Sequence, residues 1–135
     1  MIEGWHNEDY FILFDEQLEA MRITQRYMLD RRLPGYTIIG LCSWDDFIVR
    51  DSDGTIFTLP TVPARPTHLR QTAFDIDLTA IQPDPKIRGQ VKWYIQPLIF
   101  GGDPTSSQNI TWISLDQHVD AVNWWNNKYD EGSNQ

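Results

Sequence analysis

The chain has 135 residues, of which 41% are apolar and 22% charged, and its 19 acidic against 11 basic side chains give a formal charge of −8. The apolar share excludes a disordered chain. The size fits one domain spanning 1–135, with a core that needs no disulfide or metal staple. The negative balance repels phosphate backbones and anionic lipid, so no nucleic acid and no membrane is expected as a partner.

At the start, Met1-Ile2-Glu3-Gly4-Trp5-His6 shows no basic segment followed by a long apolar core, so no secretory signal is read there. The longest apolar run, Tyr10 to Phe14, is too short to span a bilayer. Cys42 is the single cysteine, without an internal disulfide partner. A lone thiol among apolar neighbours fits a reducing compartment, and the expected location is the cytoplasm.

From about 15 to 31 the spacing predicts a helix with Asp15 as N-cap. Leu18, Met21, Met28 and Leu29 form one apolar stripe, and Ala20, Ile23 and Tyr27 a second. Arg22, Arg26, Arg31 and Arg32 are its cations, read as a solvated face and not as a basic patch. Leu33-Pro34-Gly35 stops the helix.

Strand grammar follows. Tyr36-Thr37-Ile38-Ile39-Gly40-Leu41 and Asp46-Phe47-Ile48-Val49-Arg50 are β-branched and aromatic, and Thr55 to Leu59 alternates after the turn Asp51-Ser52-Asp53-Gly54. Two strands around an Asp/Gly turn make a hairpin. The same turn resembles the start of a calcium loop, but the twelfth position is Val62 where a bidentate Glu is required, so no metal is assigned. Pro60, Pro63 and Pro66 force irregular backbone, and Leu69 to Ile81 is read as a weak short helix.

Strands are predicted at about 91–100 and 109–113, joined through Gly101-Gly102-Asp103-Pro104. That corner reads as a tight turn; Pro104 lacks an amide and a strand follows, so it is no phosphate cradle. Ser114 and Gln117 match a capping box for a helix over about 115–129. Leu115, Val119, Val122, Trp125 and Tyr129 share its inner face with His118, which is read as a buried hydrogen-bonding residue. Trp124 projects almost opposite and requires a second packing surface or a partner. From Asp130 onward a frayed polar tail is expected.

The expected fold is one antiparallel sheet of roughly four to six strands with an N-terminal and a C-terminal helix packed on it. No cofactor is implied. Leu33-Pro34-Gly35-Tyr36, Ile38-Ile39-Gly40, Asp46-Phe47-Ile48-Val49 and Asp53-Gly54-Thr55-Ile56-Phe57 resemble the SUKH superfamily of small α+β proteins over about 33–60. The opening of the chain lacks the Leu-Pro-x-x-Tyr helix usual in that family, and 91–129 extends past its core. The resemblance implies a non-catalytic binding protein, in bacteria an immunity protein that neutralises a cognate toxin. Partner-binding candidates are Asp45, Asp46, Asp51 and Asp53, four carboxylates within nine residues, together with Trp124. Two other functions are compatible with the sequence: a small-molecule enzyme built from Tyr94, Asp103 and His118, and a structural or regulatory homo-oligomeric module joined through Trp124.

Overall fold

The hairpin around Asp51–Gly54 lies within a six-stranded antiparallel meander. The computed structural model describes residues 1–6, 9–42, 46–72 and 80–133. The strands follow chain order: β1 (Ile2–His6), β2 (Asp9–Leu13), β3 (Thr37–Cys42), β4 (Asp46–Arg50), β5 (Ile56–Pro60) and β6 (Arg70–Gln71). A separate two-stranded ribbon pairs β7 (Gln90–Tyr94) with β8 (Ile110–Ser114), and α3 (Leu115–Ser133) follows directly. The molecule is therefore an α+β fold, as the order of helix, strands and helix implies.

The apolar run at 10–14 belongs to an N-terminal hairpin that periodicity did not reveal. Glu3 is mostly buried yet charged, which masks the strand pattern; its carboxylate accepts hydrogen bonds from the Tyr10 hydroxyl and the Gly89 amide. Those bonds offset the desolvation that burial imposes.

The first helix is shorter than expected and broken. α1 spans Gln17–Arg26, Met28 takes a left-handed conformation at φ 60°, and α2 covers Leu29–Arg32. At 100° per residue a continuous helix would turn Leu29 well away from Tyr27. The break instead buries Tyr27, Leu29 and Leu33 together. Of the two predicted stripes, Ala20, Ile23 and Tyr27 face the core, whereas Leu18 and Met21 are exposed. Glu16, not Asp15, stands at the N-cap, with no side-chain capping bond.

The sheet face carrying Ile38, Phe47, Val49 and Leu59 packs with Tyr27, Val91, Trp93, Val119 and Val122 into the main core. The opposite face holds a smaller cluster of Leu13, Ile48 and Ile81. Where a helix was expected over 69–81, Arg70–Gln71 instead pairs with Phe57 and Thr58 of β5, and 73–79 lie outside the described residues. The strand expected at 91–100 ends at Tyr94; Leu98–Phe100 forms a 3-10 turn closed by Gly101 at φ 89°.

α3 begins with the expected capping box: Gln117 donates its amide to Ser114 Oγ at 3.2 Å, and Ser114 donates its own to Gln117 Oε1 at 3.0 Å. The helix does not fray at 130. Asp130 pairs with both Arg32 and Arg65, tying α3 to α2 and to the proline-rich segment. Among the described residues no helix is long and apolar enough to cross a membrane.

Candidate functional site

The aspartates expected to share one corner are divided by the length of a strand. Asp46 opens β4, opposite Cys42 and Pro60, while Asp51 and Asp53 lie beyond the other end of the same strand. Five steps of about 3.3 Å put Asp46 and Asp51 roughly 17 Å apart. Asp45 lies outside the described residues.

Asp51 builds the turn. Its Oδ1 accepts the amides of Asp53 and Thr55, both at 2.9 Å, and Gly54 at φ 85° supplies the left-handed step. Asp53 is exposed and free of that structural duty.

This end of the hairpin forms one wall of an open cleft of about 730 Å³. α1 supplies Met21, Thr24 and Gln25, and α2 supplies Asp30. The stop segment adds Pro34 to Thr37, and the hairpin adds Arg50 to Gly54. Asp30, Asp51 and Asp53 set three carboxylates against the single guanidinium of Arg50. Met21, on the α1 side of the cleft, is 46% exposed. Sequence reasoning found Asp51 and Asp53 but missed Asp30 and Met21, because the break at Met28 decides where α2 points.

Trp124 and Trp125 divide as the helix phase requires. Trp124 is 55% exposed, while Trp125 packs against the core. Their rings meet edge-on at 4.7 Å, and the Lys128 ammonium sits 5.7 Å from the Trp124 centroid. Trp125 also contacts Phe100 at 4.8 Å, so the aromatic surface continues onto the turn that exposes Leu98 and Ile99.

Tyr94, Asp103 and His118 do not converge. His118 is fully buried, with Nδ1 2.6 Å from the Tyr27 hydroxyl and Trp93 edge-on at 5.2 Å. Asp103 accepts the Thr105 amide and hydroxyl in an exposed turn, which lowers its carboxyl from the usual range. Neither of the two larger clefts is lined by any of the three. Burial pushes the Cys42 thiol up to about 12, with Asp46 and Asp9 adding to the rise, so it is not an activated nucleophile. Among the described residues no cluster of His, Cys, Asp and Glu forms a metal site.

No protein-family model, curated protein or solved structure matches the chain.

Proposed function

We propose that the protein acts by binding a basic polypeptide in the cleft between α1 and the β4–β5 turn, without catalysing a reaction. The observation that carries this reading is the placement of Asp30, Asp51 and Asp53 around exposed Met21, on a chain of charge −8. Carboxylates at the rim steer a cationic partner and speed encounter, while the apolar wall adds burial once contact is made. The sharpest form of the proposal is an immunity protein that neutralises a cognate basic toxin, which the SUKH resemblance over 33–60 implies.

The test is tandem-affinity capture from the native cell with the wild type and with Asp30→Asn/Asp53→Asn, followed by association kinetics with the purified partner. Asp51 is left intact because its removal would open the turn. The reading expects a basic protein cross-linked to the cleft, with an on-rate that falls as salt rises and falls further in the double variant. Equal rates and equal salt dependence in the two proteins would move the contact elsewhere, first to the Trp124 surface.

A further inference from the structure

The solvent side of α3 carries a row of side chains that the core does not account for. Asp120, Trp124 and Lys128 stand four residues apart and all are exposed, whereas Val119, Val122 and Asn126 on the opposite side are buried. Residues at this spacing form one ridge along a helix, each step rising about 6 Å. The Lys128 ammonium lies 5.7 Å from the Trp124 ring centroid, so the cation is held beside the aromatic. Lys128 also spans 3.7 Å to Glu131, a pair exposed on both sides and therefore a weak hold. Asp120 enters no ion pair among the described residues.

We propose that this ridge docks on the same ridge of a second copy of the chain, forming a two-fold dimer with Trp124 at its centre. The order of charges along the ridge selects that partner. A two-fold axis beside Trp124 runs the two helices antiparallel, so each residue after 124 lies level with the residue equally far before 124 in the other copy. Lys128 of each copy then lies level with Asp120 of the other. In the same register Gln117 meets Glu131 and Ala121 meets Asn127, so no like charges are set directly opposite. The commonest crossing of two helices, about −50°, is the one in which such four-residue ridges run alongside each other.

A partner helix of one charge sign fits less well, because either Asp120 or Lys128 would then face a like charge. Apolar surface widens the contact on one flank. Trp125 meets Trp124 edge-on and Phe100 beyond it, on the turn where Leu98 and Ile99 are half exposed. Two copies of charge −8 repel at long range, but salt confines that repulsion to about 8 Å at physiological ionic strength. One ridge from each copy makes a small interface, so the dimer is weak. It shares no residue with the acidic cleft, and either can fail alone.

Sedimentation velocity of the intact protein over roughly 1 to 500 µM, near physiological salt, tests the proposal. The expected result is a reversible monomer–dimer equilibrium with a Kd on the order of 10–100 µM. Trp124→Ala is expected to weaken it about tenfold or more. Lys128→Asp and Asp120→Lys should each weaken it about tenfold, and the double exchange should return it to within about threefold of wild type. The two positions are about 12 Å apart along their own helix, so recovery arises between copies and not within one. Circular dichroism confirms that each variant stays folded. A monomer at every concentration overturns the proposal and leaves the face to a different protein. So does a dimer that Trp124→Ala leaves unchanged, or one that the double exchange does not restore.

Discussion

Tyr27 and His118, 91 residues apart in the chain, meet through a 2.6 Å hydrogen bond between the phenol oxygen and Nδ1. Both are almost wholly buried, and the Tyr27 ring also meets Phe47 edge-on at 4.9 Å. The contact joins the end of α1 to the inner face of α3 within the main core. Tyr27→Phe keeps the ring and removes this bond, and is expected to cost about 1–3 kcal/mol because the buried imidazole loses a hydrogen-bond partner. Urea melts of Tyr27→Phe, His118→Phe and the double variant check it. A coupling near zero in that cycle would mean that the bond contributes nothing.

Asn126 performs a second joining task. Its Oδ1 accepts the Ala64 amide at 3.0 Å and its Nδ2 donates to the Thr61 carbonyl at 2.8 Å, so one buried side chain holds the proline-rich segment against α3. Asn126→Ala is expected to destabilise by about 2–4 kcal/mol, since two buried backbone groups lose these bonds at once. Increased hydrogen exchange confined to 61–65 at low denaturant would locate the damage.

Asp130 predicts an acid dependence. Burial by itself would raise its carboxyl, but the hydrogen bonds and charges of Arg32 and Arg65 outweigh that and hold it below the usual range. A depressed carboxyl favours the folded state whenever it is ionised. Its contribution is therefore complete above about pH 4 and is lost as pH falls through the lower folded value. With the side chain 38% exposed, Asp130→Asn should cost only about 1 kcal/mol at pH 7. The stability gap between wild type and variant should close on acidification, as measured by melts from pH 7 to pH 3.

Trp124 and Trp125 separate stability from contact. Trp125→Ala is expected to cost about 2–3 kcal/mol, below a full core truncation because the ring is only partly buried. Trp124→Ala should cost less than about 1 kcal/mol. Equal destabilisation of the two variants would contradict the helix phase.

Cys42 should be slow to alkylate. A thiol pushed up to about 12 leaves a thiolate fraction at pH 8 about a thousandfold below that of an ordinary cysteine. Iodoacetamide labelling of native and urea-unfolded protein should differ accordingly, and equal rates would show that the thiol is not buried in solution.

What the sequence determined by itself was local and periodic. The hairpin around Asp51–Gly54, the Ser114/Gln117 box and the burial of His118 each rest on residues within one turn or one helix face. What escaped it depends on contacts across long separations. Leu18 and Met21 satisfy helical spacing as well as Ala20 and Ile23 do, and only docking on the sheet decides which stripe is covered. Asp130 reads as a tail residue until Arg32 and Arg65 converge on it, and Asn126 reads as a polar position until Thr61 and Ala64 arrive. Asp30 joins the acidic cleft because Met28 breaks the helix, and Asp46 leaves it because β4 runs its full length between the two ends. Periodicity assigns a residue to a face of its own element. Which faces meet is decided by packing between elements distant in the chain, and the candidate sites lie at those meetings.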